Sequence, residues 1–290
     1  MIVHHLSELD RVATLAVIIN VDTKLVTTLA LMSALRYVKA PILLMDCESK
    51  DGSFEHFMDL QSAHSFFLMP APRRQHGYTL DWIFEQTPAA NVLLIDSDIE
   101  ILGAELPDRV CAEIARDDVD GCGFVHDGAW MTGLNAPYGW YVERFWIPFL
   151  ALKAATVQQD LAAGLSFIDR RVPNDLPHWE RLSRVLMFRY RAPWLRRLRL
   201  GFLEPFRKEY FGHKPSFLYY DTGAALYQSL FKEGQATFSG LPWALNEQCL
   251  IHFHGVSRSG LNWFDYNSTR VRDIRCYVTQ RLRAEYGIAD

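Results

Sequence analysis

The chain has 290 residues, 49% of them hydrophobic, enough for one large α/β domain or two small ones and too apolar for wholesale disorder. A net charge of −4 argues against a general nucleic-acid partner. Its five cysteines are odd in number and contain no C-x-x-C pair, which fits free thiols in a reducing compartment and speaks against a disulfide frame or a zinc knuckle.

The first predicted strand is Thr14-Leu15-Ala16-Val17-Ile18-Ile19-Asn20. Apolar residues at Leu25, Leu29, Met32 and Leu35 predict a helix over residues 24–37. Pro41-Ile42-Leu43-Leu44-Met45 predicts a second strand. Both strands are continuously apolar, as strands covered by helices on both faces are. Strand, helix and strand within ~35 residues make the βαβ unit of a parallel sheet. The second strand runs into the polar stretch Asp46-Cys47-Glu48-Ser49-Lys50-Asp51-Gly52-Ser53, where Asp-Gly favours a tight turn. Ligands of open α/β sheets bind outside the carboxyl ends of the strands, so Asp46 stands at a site-prone position. A helix over residues 54–64, a short strand over 65–69, a loop with Pro70, Pro72, Arg73 and Arg74, and a helix over 77–85 come next. They lead to the strand Val92-Leu93-Leu94-Ile95, and the first hundred or so residues read as a doubly wound nucleotide-binding half.

Beyond it, residues 106–116 predict a helix, 121–126 a strand and 149–165 a helix. Residues 130–146 are rich in Gly, Tyr and Trp, a composition suited to stacking on sugar rings or to core packing. Residues 177–214 carry ten Lys or Arg against Glu180, Glu204 and Glu209, interleaved with Trp194, Leu195, Phe202 and Phe206. This segment reads either as a surface for an anionic membrane face or a phosphate-bearing lipid acceptor, or as a solvated helical hairpin. The stretch Phe217 to Leu226 leads into a helix that reaches about Glu233, and Cys249-Leu250-Ile251 is strand-like. The last ~25 residues predict one amphipathic helix with Val271, Ile274, Tyr277, Val278 and Leu282 inward. Met1 to Asp10 lacks a basic then apolar leader, and no apolar run approaches the ~18 residues of a spanning helix. The expected location is cytoplasmic, with peripheral membrane contact through 177–214 as an option.

The sharpest local feature is Asp96-Ser97-Asp98, two carboxylates at the end of an apolar strand. Carboxylates are costly to bury without a partner. At a strand end they read as a turn, or as ligands that converge on a hard divalent cation and through it on a phosphate. Far behind them lies His252-Phe253-His254-Gly255-Val256-Ser257-Arg258-Ser259. On an extended strand His252 and His254 share a face, and an imidazole suits Mn²⁺ better than Mg²⁺.

In order, the motifs D-C-E-S-K-D-G-S (from Asp46), H-G-Y-T-L-D (from His76), V-L-L-I-D-S-D (to Asp98) and H-F-H-G-V-S-R-S (from His252) resemble those of the family 2-like glycosyltransferases of the GT-A fold. The resemblance spans about residues 14–265. It implies a Rossmann-like nucleotide-sugar-binding half over about 12–105, an acceptor-binding half over 106–265 with the basic segment 177–214, and a C-terminal helix over 266–290, all in a single domain. It implies transfer of a sugar from a nucleotide-diphosphate donor, a UDP-sugar above all, to a hydroxyl of a glycan or lipid-linked acceptor, with Mn²⁺ or Mg²⁺ as cofactor. By the same resemblance Asp98 is the direct metal ligand, with Asp96 on the ribose or the metal's water shell. One of His252 and His254 completes the metal site: His252 matches the H-x-x-G spacing and His254 directly precedes Gly255. Asp46 faces the base, where an Asx-turn is the alternative, and Asn20 and Asp22 line the nucleotide pocket. Arg258 contacts phosphate or is a surface arginine.

Inversion needs a base for the acceptor hydroxyl. In the family it belongs to an E-D pair; here Tyr219-Tyr220-Asp221-Thr222-Gly223 offers one carboxylate, so Asp221 is the expected base or else a helix N-cap. Three alternatives follow: a retaining enzyme without a protein base, a sugar nucleotidyltransferase, and an inactive relative that binds sugar nucleotides. The second lacks the expected glycine-rich loop, since Asn20-Val21-Asp22-Thr23-Lys24 has no glycine.

Overall fold

The structure, a computed structural model, describes residues 1–131, 139–173, 217–234, 236–253 and 269–288. The basic segment 177–214, His254 and Arg258 lie outside the described residues. The chain forms the expected α/β fold with a mostly parallel central sheet.

The amino-terminal half supplies β1 (Thr14–Asn20), α1 (Lys24–Tyr37), β2 (Ile42–Cys47), α2 (Ser53–Leu60), β3 (Phe67–Ala71), α3 (His76–Gln86) and β4 (Asn91–Asp96). Strands β2 and β4 both pair parallel with β1, one on each side, and β3 pairs parallel with β2. The strand order therefore reverses at β1/β4, which opens a crevice at the carboxyl ends of these two strands. Alternate side chains explain the unbroken apolar runs. Ala16, Ile18, Ile42, Leu44, Leu93 and Ile95 join Leu31, Ala34 and Phe57 of α1 and α2 in one buried cluster. Leu15, Val17, Leu43, Met45, Val92 and Leu94 join Leu80 and Ile83 of α3 in another. Both faces of the sheet are thus covered, and each fully buried large aliphatic side chain contributes about 1.5–3 kcal/mol.

The second half adds β5 (Ile99–Ile101), α4 (Glu105–Ile114), β6 (Gly121–His126), β7 (Trp130–Met131), β8 (Gly139–Tyr141), β9 (Arg144–Lys153) and α5 (Ala154–Ala162). It continues with β10 (Arg170–Pro173), β11 (Phe217–Tyr220), α6 (Ala224–Tyr227), a π-turn at Gln228–Lys232 and β12 (Phe238–Gly240). The chain then forms α7 (Trp243–Cys249), β13 (Leu250–His252) and α8 (Thr269–Tyr286). The central sheet runs β12-β6-β9-β4-β1-β2-β3, with β9 antiparallel to both β4 and β6. A smaller sheet, β10-β11-β8-β7, stands beside it, and β5 forms a two-stranded ribbon with β13.

The helix expected over residues 149–165 is a strand up to Lys153 and a helix only from Ala154 to Ala162. Phe149, Leu150, Ala151 and Leu152 are all buried because β9 is an interior strand with both faces covered. A short continuous apolar run of this kind carries no period that tells strand from helix. The helix expected after Asp221 also shortens, to α6 and the π-turn that follows it.

Candidate functional site

Helix α3 owes its position to two residues of H-G-Y-T-L-D. Gly77 packs directly on the backbone of the segment before β10; a Cβ there would lie 2.7 Å from the Ile168 Cα. Asp81 accepts hydrogen bonds from Ser166 Oγ and from the Phe167 N–H at 2.8 Å. The same helix carries His76 and Thr79 into a cavity of about 660 Å³ at the β1/β4 crevice.

Asp96, Ser97, Asp98, Asp221 and His252 all line that cavity. Asp96 ends β4, and Asp98 directly precedes β5. His252 ends β13, whose antiparallel register sets it opposite Ile99. The Phe253 N–H donates to the Asp98 carbonyl at 2.8 Å, closing the ribbon around the acidic turn. His252 Nε2 consequently lies 3.3 Å from Asp98 Oδ1. Asp96, Asp98 and His252 each offer one ligand atom, and these atoms lie within 4.8 Å of one another. Two carboxylate oxygens and an imidazole nitrogen fit a divalent cation of the Mn²⁺ type. The indole of Trp146 meets the His252 ring edge to face at 5.5 Å and helps to fix its plane. Burial, and then the charge of Asp98, raise the Asp96 carboxyl above its ordinary range, while His252 acts in the opposite sense. Two carboxyl groups held together without a counter-ion repel, and a bound cation would relieve this.

Asp221 leaves β11 toward the same cavity and pairs with Arg144 of β9, Nε to Oδ2, at 3.1 Å. The N-cap of α6 is Gly223, and the Asp221 side chain does not cap that helix. Arg144 lies over the Tyr141 ring at 4.8 Å, and its Nη1 is buried without a hydrogen-bond partner among the described residues. That nitrogen is a donor awaiting an acceptor oxygen.

Asn20, Asp22 and Asp46 do not line the cavity; Ile19, Val21 and Cys47 do. Period-two alternation puts Asn20 and Asp46 on the opposite face of β1 and β2 from Ile19 and Cys47. There they are paired in register, and Asn20 Nδ2 donates to Asp46 Oδ1 at 2.6 Å. Asp46 also accepts the Ser49 N–H, so it closes an Asx-type turn. Asp22 has φ 53, a left-handed conformation that Asp tolerates. Its carboxylate accepts the Lys50 N–H at 2.6 Å and pairs at 2.9 Å with Arg73, which does line the cavity. These three residues knit together the turns behind the cavity-facing edge. Cys47 reaches the cavity, but burial, and then Asp46, push its thiol up to about 12; it stays protonated and is no nucleophile.

Sequence reasoning missed Arg144, Trp146, His126 and Thr79, all of which line the cavity. Thr79 lies within H-G-Y-T-L-D, while no motif marks the other three. The aromatic density of residues 130–146 is the one signal that pointed to Arg144 and Trp146.

No protein-family model matches the chain, and no curated protein is similar to it. Among solved structures it is similar to the mannosyltransferase PcManGT from Pyrobaculum calidifontis in complex with GDP-Man and Mn²⁺, at 12% identity over 52% of this chain and 47% of that one, with a TM-score of 0.40. It is similar to glucosyl-3-phosphoglycerate synthase from Mycobacterium tuberculosis in complex with Mn²⁺, UDP and phosphoglyceric acid, at 10% identity over 50% of this chain and 56% of that one, with a TM-score of 0.36. A third is 4-diphosphocytidyl-2C-methyl-D-erythritol synthase from Anaerococcus prevotii, at 13% identity over 52% of this chain and 76% of that one, with a TM-score of 0.38. The chain spans about half the length of the two glycosyltransferases. At these TM-scores the likenesses carry no conclusion about activity. Among the described residues no helix is long and apolar enough to cross a membrane.

Proposed function

We propose that the protein is a metal-dependent GT-A glycosyltransferase that moves a sugar from a nucleoside-diphosphate donor to a hydroxyl of a glycan or lipid-linked acceptor. The observation that carries this reading is the convergence of Asp96, Asp98 and His252 on one cation-sized point at the β1/β4 switch, with Asp221 lining the same cavity.

Breaking the anomeric bond puts negative charge on the leaving diphosphate. Asp96, Asp98 and His252 would hold a divalent cation, which would supply a Lewis acid for that charge. Asp98, 3% exposed, is the more firmly held carboxylate. His254 stays a second candidate ligand and Arg258 a phosphate contact, both on the motif alone. Asn20, Asp22 and Asp46 shape the turns that present Ile19, Val21 and Cys47 to the nucleotide. Asp221 takes the proton of the acceptor hydroxyl, and Arg144 orients it through the Nε contact. The basic segment 177–214, on its composition alone, is the candidate contact for an anionic lipid surface.

The Arg144–Asp221 pair also favours a second reading. The Asp221 carboxylate is already engaged by the Arg144 guanidinium, and Arg144 Nη1 is available to a phosphate oxygen. Transfer would then retain configuration, with the leaving phosphate accepting the proton.

The test is a screen of nucleotide sugars for donor hydrolysis and for thermal stabilisation, with and without Mn²⁺. Turnover or stabilisation that requires the metal supports the reading. Indifference to every donor in both conditions overturns it. The anomeric configuration of the product decides between the two mechanisms.

A further inference from the structure

The residue two positions past Asp98 is also acidic, and it is fully buried. Glu100 on β5 is 0% exposed, yet the metal group and the cavity do not include it. A buried carboxylate persists only with partners, and both of its partners come from the other end of the chain. Arg281 of α8 donates from Nε to Glu100 Oε1 at 2.8 Å, and its Nη2 lies 2.6 Å from the same oxygen. The Tyr277 hydroxyl donates to Oε2 at 2.8 Å. Both carboxylate oxygens are thereby used.

Tyr277 has a second contact. Its ring packs on Phe253 at 5.8 Å, and Phe253 directly follows His252. The hydroxyl end of one side chain thus holds β5, the strand after Asp98, while its ring holds the residue after β13, the strand that carries His252. Val278 and Leu282 of α8 extend this grip by packing with Phe253 against Val26, Leu29 and Met32 of α1. Among the described residues the β5–β13 ribbon has only these two short strands. A ribbon of that size is not stable by itself, and the separation of Asp98 from His252 depends on what clamps it.

We propose that Glu100, Tyr277 and Arg281 are positioning residues for the cation site: helix α8 locks the ribbon so that Asp98 and His252 stay at metal-binding distance. The proposal rests on the reading of Asp96, Asp98 and His252 as cation ligands. Partners behind the ligands typically change metal affinity by about 10–100-fold when removed. A purely structural ion pair would change stability and leave the affinity of the folded protein alone.

The experiment is Mn²⁺ binding to the full chain, followed by the loss of the free-ion EPR signal, with folding checked by circular dichroism. Arg281→Met is expected to weaken Mn²⁺ binding about tenfold or more. Tyr277→Phe, which keeps the ring on Phe253, should show a smaller loss, and Arg281→Lys should recover part of the affinity. Should Arg281→Met fail to fold because Glu100 is left charged and alone, the charge-neutral pair Glu100→Gln with Arg281→Met takes its place, with the same expected weakening. Folded variants that bind Mn²⁺ within twofold of the wild type overturn the proposal and leave the cation site standing. A wild-type chain that binds no Mn²⁺ overturns the cation site and this proposal with it.

Discussion

His252 Nε2 lies 3.3 Å from Asp98 Oδ1, although the two residues stand far apart along the chain and meet through a ribbon of two three-residue strands. The contact turns an acidic strand end into a three-ligand group. It also makes the metal reading testable one residue at a time.

Asp98→Asn and His252→Ala should each abolish the rise in melting temperature that Mn²⁺ produces in the wild type. Without the metal Asp98→Asn should melt near the wild type, and His252→Ala somewhat lower, because it loses the ring contact with Trp146. Differential scanning fluorimetry with and without Mn²⁺ checks this. An undiminished Mn²⁺ response in both variants would remove the pair from the site.

Asp221→Asn should lower transfer by roughly 10²–10⁴-fold if Asp221 is the base, the usual worth of a general base. Donor hydrolysis and Mn²⁺ affinity should change far less, since Asp221 is not in the metal group. Transfer at near wild-type rate, with retained anomeric configuration, assigns the proton to the leaving phosphate instead.

The Asp96 carboxyl is raised above its ordinary value of 3.8 by burial and by Asp98. The sign follows from linkage. In the metal-free protein the folded state holds this proton more tightly than the unfolded state. That stability is fully present below pH 3.8 and is lost as pH rises through the raised folded value. In EDTA, Asp96→Asn should therefore flatten part of the decline in melting temperature over that window. Mn²⁺ affinity of the wild type should run the other way and rise with pH, because the cation takes the deprotonated carboxylate.

Gly77→Ala should destabilise the fold by about 1–3 kcal/mol, the usual cost of overpacking. The added Cβ would meet the Ile168 Cα at 2.7 Å and the Ile168 nitrogen at 2.8 Å, backbone atoms that cannot turn aside as a side chain can. Urea denaturation followed by circular dichroism measures it. A midpoint equal to that of the wild type would mean that the 166–169 segment gives way freely.

The parallel half was legible because its strands are covered on both faces. Burial on two sides writes itself into the chain as continuous apolar runs, and β1, β2 and β4 with the helices between them follow from those runs. The positions of Asp46 and Asp96 at strand ends were legible for the same reason. The run at Phe149 to Leu152 was misread as helix, since burial of an interior strand and of a short core helix leave the same mark. The orientation of Asn20 and Asp46 away from the cavity was hidden as well. It depends on which face of the sheet the cavity opens to, and a strand's period does not say which face that is.

By itself the sequence determined the α/β class, the order of the early elements, and the places where carboxylates leave a buried strand. These are local consequences of burial and of turn chemistry. The tertiary structure alone decided who partners whom: His252 with Asp98, Arg144 with Asp221, and Arg281 with Glu100. Each of those pairs joins groups far apart along the chain, and strand register and helix packing bring them together. A charged side chain carries no local period that announces its partner, so the electrostatics of the cavity arise only when the folded chain closes around it.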